Sequence, residues 1–203
     1  MRKTKPLLPI LLLIIFACKK EHNLNNVASF TNFPLAVGDI WNYQVFDSIN
    51  NTTQNAVFKI TGFYISSGMP VNITHYQTQT IINNVITDSG EIVTAGDTVM
   101  YKPTGQGLFS NLTLLLPMSP NSNWHTEYYG DSVFVTGANE SVAVLGTTYD
   151  SLYNVGRIQS VPDLYIYQNL YIAPHIGIVQ ETLDIAPWIP VHKTIKLVSY
   201  QLH

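Results

Sequence analysis

From residue 40 onward the chain is written in short runs in which apolar and polar residues take turns. Ile40-Trp41-Asn42-Tyr43-Gln44-Val45-Phe46, Ala56-Val57-Phe58-Lys59-Ile60-Thr61 and Ile73-Thr74-His75-Tyr76-Gln77-Thr78 alternate or nearly alternate, and Asn, Gly, Ser or Pro bounds each. A period of two sends one set of side chains to one face of a sheet, so these runs predict strands. Similar runs at 91–94, 98–102, 132–136, 141–145, 149–155, 165–172, 178–183 and 194–201 bring the expectation to about eleven strands. No helical period is sustained after the first eighteen residues. Asn50-Asn51, Ser67-Gly68, Asn83-Asn84, Ser89-Gly90, Gly96-Asp97, Gly137-Ala138 and Leu145-Gly146-Thr147 are short polar punctuation of the kind that joins hairpins. An all-β antiparallel meander with few or no helices follows. The stretch 103–122 is the least strand-like, and its apolar run 112–116 fits either a crossover strand or a helical turn.

One spacing occurs twice. Phe33-Pro34-Leu35-Ala36-Val37-Gly38-Asp39-Ile40-Trp41 is echoed by Leu116-Pro117-Met118-Ser119-Pro120-Asn121-Ser122-Asn123-Trp124, an apolar residue, a proline, a turn and a tryptophan each time. Proline cannot donate to a ladder and belongs where a strand begins, and a tight turn after it can aim the tryptophan over the core. The repeat marks two related strand entrances or a chance likeness.

The opposite pattern opens the chain. Arg2, Lys3 and Lys5 precede an apolar run from Leu7 to Phe16, and Ile15-Phe16-Ala17-Cys18 closes it. The run is too short for a bilayer span of about twenty residues, so it reads as a signal peptide over 1–17 ending in a lipobox. Cys18, the only cysteine, is the expected lipidation site, and no intrachain disulfide can form. Residues 18–32 read as the lipidated cysteine and a polar, Asn-rich tether, and 33–203 as a single β-domain.

Charged residues are only 11% of the chain and aromatic residues equal them at 11%. Without the leader the basic residues are Lys19, Lys20, Lys59, Lys102, Arg157, Lys193 and Lys196, against 13 acidic ones. They are scattered and outnumbered, which excludes nucleic acid as the expected partner. Lys19 and Lys20 alone adjoin, beside the anchor, where lipid headgroups would meet them.

Several of these segments together resemble a group of exported lipoproteins of the Bacteroidota. Phe33-Pro34-Leu35 with Gly38 and Trp41-x-Tyr43 is similar to their opening strand, and Leu116-Pro117 with Trp124 to a second proline-tryptophan entrance. Gly146-Thr147-Thr148-Tyr149-Asp150 resembles a Gly-Thr-Phe-Asp stretch. Tyr171-Ile172-Ala173-Pro174-His175-Ile176-Gly177-Ile178-Val179 resembles their Tyr-x-Ala-Pro-x-x-Gly-x-Val signature. The chain departs at Asn121, where the resemblance leads one to expect a glycine in the turn, and at His175, where a small residue is commoner. The resemblance implies a large curved antiparallel sheet, half-open or closing to a β-barrel, with a concave apolar face. It also implies that Asp47-Ser48-Ile49, Asp97-Thr98-Val99, Asp131-Ser132-Val133 and Asp150-Ser151-Leu152 are O-glycosylation acceptors at Ser48, Thr98, Ser132 and Ser151, which would need solvent-facing strand ends.

Catalytic and metal chemistry find little support. His22, His75, His125, His175, His192 and His203 form no pair at ligand spacing, and no Asp-x-Asp loop suits calcium, so no metal and no cofactor is expected. His125 lies near Glu127 in sequence and His75 near nothing acidic. There is no Gly-x-Ser-x-Gly elbow. The carboxylate pairs Asp39 with Asp47 and Glu181 with Asp184 read as solvent-facing strand positions rather than as a glycosidase pair. No enzymatic activity is expected.

The aromatic residues are more suggestive. Trp41, Tyr43, Tyr76, Trp124, Tyr165 and Tyr167 either fill a plain aromatic core or line a groove for an apolar or saccharide ligand. The reading that follows is a cell-envelope lipoprotein, anchored in the outer membrane facing the periplasm, with surface exposure as the less favoured orientation. It is a non-catalytic binding module for an apolar, glycan or protein ligand. The alternatives are an interaction protein of an envelope assembly with no small-molecule site, or a hydrolase assembled only in three dimensions.

Overall fold

The computed structural model describes residues 33–67, 72–105, 107–126, 131–161, 164–187 and 191–203. The leader, Cys18 and the tether lie outside the described residues, as does Glu127. Among the described residues, thirteen strands form one sheet and there is no helix. In chain order they are β1 (Ile40–Asp47), β2 (Thr52–Ser66), β3 (Ile73–Ile82), β4 (Val85–Asp88), β5 (Glu91–Ala95), β6 (Thr98–Lys102), β7 (Leu112–Leu115), β8 (Asn123–His125), β9 (Ser132–Val144), β10 (Thr147–Val161), β11 (Leu164–Ala173), β12 (Gly177–Pro187) and β13 (Val191–Gln201).

All pairings are antiparallel, and the sheet runs β7-β6-β5-β3-β2-β1-β13-β12-β11-β10-β9-β8, with short β4 hanging on β3. The first and last strands of the chain are thus neighbours at the middle of the sheet. Its two edges, β7 and β8, are consecutive in sequence. The sheet curls until those edges face each other, and the Trp124 indole N–H of β8 donates to the Thr113 carbonyl of β7 at 2.9 Å. One side-chain hydrogen bond therefore spans the seam of a nearly closed barrel. Trp124→Phe keeps an aromatic side chain but loses the indole N–H and part of its volume, leaves that carbonyl without its donor, and should lower stability by about 1–2 kcal/mol or more in urea unfolding.

Alternation places the core inside the barrel. Trp41, Tyr43 and Val45 of β1 and Ala56, Phe58 and Ile60 of β2 are buried, as are Leu152, Tyr153 and Val155 of β10, Leu170 and Ile172 of β11 and Ile195 and Leu197 of β13. The interior is filled rather than hollow, because the chain between β6 and β7 dips into it. Asp88 accepts hydrogen bonds from the backbone N–H groups of Thr104 and Gly105 at 2.8 and 2.6 Å, fixing the start of that segment. Leu108 and Phe109 then enter the barrel. The Phe109 ring meets Tyr43, Phe58 and Tyr101 edge-on at centroid distances of 5.4–5.7 Å, a geometry that places ring edges against ring faces.

Within the stretch 112–116, Leu112–Leu115 resolves as strand β7, hydrogen-bonded to β6, which an apolar run with no helical period permits. The expected turn at Gly137-Ala138 is absent. β9 runs through it as one strand, and the polar signal marks a bulge where Asn139 takes φ 57° and the β9–β10 register shifts. A bulge consumes the same turn-forming residues without reversing the chain.

The turn within the proline-to-tryptophan repeat is the same structure built twice, although the Leu116–Pro117 bond before it is cis and the Phe33–Pro34 bond is not. The Asp39 N–H donates to the Ala36 carbonyl and the Ser122 N–H to the Ser119 carbonyl, both at 3.1 Å. The Asp39 carboxylate accepts from the Ala36 N–H, and the Ser122 hydroxyl from the Ser119 N–H. Gly38 and Asn121 then occupy equivalent left-handed positions, at φ 98° and 65°. Asn is among the few residues with a side chain that tolerate that region, so the missing glycine leaves the turn intact. Each turn delivers a buried tryptophan, at β1 and at β8. His175 likewise sits in a left-handed turn between β11 and β12, at φ 65°, which is why a small residue is expected there.

Candidate functional site

Four features outside the plain apolar core bear on function: a polar band crossing the barrel wall, a cluster on the outer face of β2 and β3, and one cavity at each end of the barrel.

The band runs across neighbouring strands on the inward face. The Gln168 amide of β11 donates to the Glu181 carboxylate of β12 at 2.9 Å, and the Arg157 guanidinium of β10 donates to the Gln168 carbonyl at 3.3 Å. Arg157 also makes two bonds to Asp131 Oδ2, at 3.1 and 2.7 Å, and reaches Ser110 and Gln159. Arg157, Asp131, Gln168 and Glu181 are all buried. Burial pushes the Glu181 carboxyl up to about 8, against the smaller opposing effects of the Gln168 hydrogen bond and the Arg157 charge. Its Oε2 and the Oδ1 of Asp131 have no hydrogen-bond partner among the described residues. The expectation that Glu181 faces solvent is therefore overturned. It pairs with Leu170 across β11, on the face that points inward. Asp39 is overturned too: it is buried, and its second oxygen accepts from the His203 N–H at 2.8 Å.

On the outer face of the sheet, His75 finds an acidic partner that sequence proximity hides. Its Nδ1 lies 3.1 Å from Glu91 Oε2 and its Nε2 lies 3.0 Å from the Ser66 hydroxyl. The Tyr64 ring stacks on the imidazole at 4.4 Å and its O–H donates to Glu91 at 2.9 Å. The His75 bond holds the Glu91 carboxyl below its usual range, and donation to Glu91 raises the Tyr64 phenol. Hydroxyl, imidazole and carboxylate stand in the order of an acyl-transfer triad. Here Tyr64 covers the imidazole face, and Ser66 lines neither end cavity. The cluster clamps β2, β3 and β5 together.

That clamp fixes the hairpin that forms the first end cavity. A bulge between Ile60 and Gly62 resets the alternation of β2, so Phe63 and Ile65 pair with Tyr76 and Thr74 on the inward face. The hairpin runs on past the filled interior at this point, and its inward face looks across at the incoming segment Leu35-Ala36-Val37. Between them lies an open apolar groove of about 440 Å³ lined by Leu35, Val37, Phe63, Ile65, Thr74 and Tyr76. Phe63 and Ile65 are 58% and 60% exposed, among the most exposed large apolar side chains of the described residues. The cavity at the other end holds about 490 Å³ and is polar at its rim, with Asp47, Thr52, Gln54 and Lys193 over a floor of Val45, Leu108 and Ile195. Asp47 is already engaged by the N–H groups of Ile49 and Asn50 and the Asn50 amide, which hold its carboxyl low.

Of the six aromatic candidates, Trp41, Tyr43 and Trp124 are buried in the core, and Tyr76 lines the groove. Tyr43 donates its O–H to the Ile178 carbonyl and Trp41 its indole N–H to the Ile176 carbonyl, so both polar handles are spent internally. Tyr165 is exposed and Tyr167 half-buried on β11, away from the groove. Ser48 is exposed in the β1–β2 turn, and Thr98 and Ser132 open β6 and β9 half-buried. Ser151 is exposed, yet it stands within β10 at φ 59° rather than at a strand end, because the β9–β10 bulge pushes it outward. Phe63 and Ile65 escaped the sequence reading because their alternation is legible only once the bulge is known.

No family model matches the chain, and no curated protein matches it. Among solved structures, the barrel superimposes on a protein from Bacteroides fragilis NCTC 9343 described as exported and as having a YmcC-like fold. The TM-score is 0.50 at 12% identity, covering 86% of this chain and 100% of that one. The architecture is similar to the YmcC-like fold. A chain described as a lipoprotein, from Parabacteroides distasonis ATCC 8503, superimposes with a TM-score of 0.47 at 10% identity, covering 86% and 99%. Identity at this level speaks for the fold alone, and the groove and the polar band belong to this chain's own residues.

Proposed function

We propose that this chain is a cell-envelope lipoprotein held by acylated Cys18, whose barrel serves as a non-catalytic binding module for an apolar ligand. The observation that carries the reading is the groove between Leu35–Val37 and the overhanging hairpin, an apolar cavity of ligand size beside an interior already filled by Phe109. Exposed apolar side chains gathered in one concavity, rather than scattered, mark a contact surface. The leader and lipobox support an envelope location, with the outer membrane and its periplasmic face as the favoured site.

Native mass spectrometry of the purified chain, followed by extraction, tests it. A co-purifying apolar molecule is expected, and Phe63→Ser with Ile65→Ser should weaken its retention by about tenfold or more, since each side chain contributes about 1.5–3 kcal/mol when fully covered. A clean mass in the parent protein would remove the small-ligand reading. The filled barrel interior favours a second one in that case, an interaction module of an envelope assembly.

A further inference from the structure

We propose that the occupant of the groove is lipid of the bilayer in which the chain is anchored, so that this end of the barrel docks on the membrane surface. The inference rests on the reading of Cys18 as a lipid anchor and of the groove as a binding surface, and names the partner.

Three observations carry it. The groove lies where the described chain begins: Leu35 and Val37, which form one wall, follow Cys18 by only a short segment. Fourteen residues, 19–32, separate the anchor from Phe33. A chain of that length reaches no more than about 50 Å, so the end of the barrel that the segment joins is the end held nearest the headgroups. The second observation is chemical. Val37, Phe63 and Ile65 are exposed together around an open concavity, and none of the four lysines and one arginine among the described residues lines it. An apolar rim with no cation suits the acyl boundary of a bilayer better than a phosphorylated or anionic soluble ligand. The third is rigidity. The Tyr64–His75–Glu91–Ser66 clamp on the back of the same hairpin fixes its backbone with Phe63 and Ile65 turned toward the groove, so less ordering cost is added on docking.

The experiment uses the full chain, expressed with its own leader and reconstituted in vesicles of phosphatidylethanolamine and phosphatidylglycerol. An environment-sensitive fluorophore is placed by Ile65→Cys in the groove or by Val85→Cys, a similarly exposed site on β4 at the opposite end. Mass spectrometry first reads acylation of Cys18, and an unmodified cysteine overturns the anchor reading and this inference with it. With the anchor in place, docking predicts a blue-shifted emission at position 65 that nitroxide-labelled acyl chains quench by about twofold or more, with position 85 unaffected. Equal and unquenched emission at the two positions overturns docking while leaving the anchor standing. A blue-shifted signal at position 65 in a Cys18→Ala chain without vesicles assigns the groove to the protein's own N-terminal segment and also overturns it.

Discussion

Replacing Arg157 with methionine should cost about 3–5 kcal/mol, most of it from the groups it abandons. The guanidinium makes five hydrogen bonds among Asp131, Gln168, Gln159 and Ser110, and both it and Asp131 are buried. The substitution leaves the buried Asp131 carboxylate with one hydroxyl, that of Thr126, as its remaining side-chain donor among the described residues. Removing both charges at once, with Arg157→Met and Asp131→Leu, should recover most of the loss, because neither partner is then stranded. Urea unfolding of the two variants followed by tryptophan fluorescence makes the comparison. A double variant no better than the single one would mean that the pair contributes through packing rather than through charge.

Glu181 should make the protein less stable as pH rises, the reverse of what most carboxylates do. The folded state keeps its proton up to about pH 8, while the unfolded chain releases it near the ordinary value of 4.5. Between those limits the unfolded state binds fewer protons than the folded one, so stability falls with increasing pH, by at most about 1.4 kcal/mol per unit. Below the window both states are protonated, and above it both are ionised, so the contribution is flat. Glu181→Gln preserves a carbonyl for the Gln168 amide and never ionises. Unfolding measured at pH 4, 7 and 9 should find the variant close to wild type at pH 4 and increasingly more stable above it. Parallel curves for the two proteins would show that Glu181 ionises in the fold without cost.

The strand inventory was largely legible in the sequence, because a sheet with one covered face must alternate. β1, β2, β3 and β11 announce themselves through Trp41-x-Tyr43, Ala56-x-Phe58, the 73–78 run and the 165–172 run. The proline-to-tryptophan repeat carried more than it could prove, since Gly38 and Asn121 look unlike each other until their shared backbone conformation is known. What stayed hidden has a common cause. Bulges at Ile60–Gly62 and around Asn139 change which residues face inward, and no period of two can register a residue that breaks it. Phe63 and Ile65 were missed for that reason. His75 and Glu91 lie 16 residues apart, and Arg157 and Asp131 26, so only the register of the strands brings these charges together. The insertion of Phe109 into the barrel is invisible for a different reason. A loop that fills a core reads locally as an apolar loop.

The pairing of β1 with β13 sets the order in which the chain can fold. Asp39 is bound by the N–H of His203, 164 residues further on, and β1 finds its second neighbour only when Val191–Gln201 is available. A chain emerging N-terminus first must carry an open strand edge until almost everything else has followed. Contacts this distant in sequence close late and slowly. The barrel therefore shuts only after its last strand has been made, and until then β1 offers an edge that any other free strand could take.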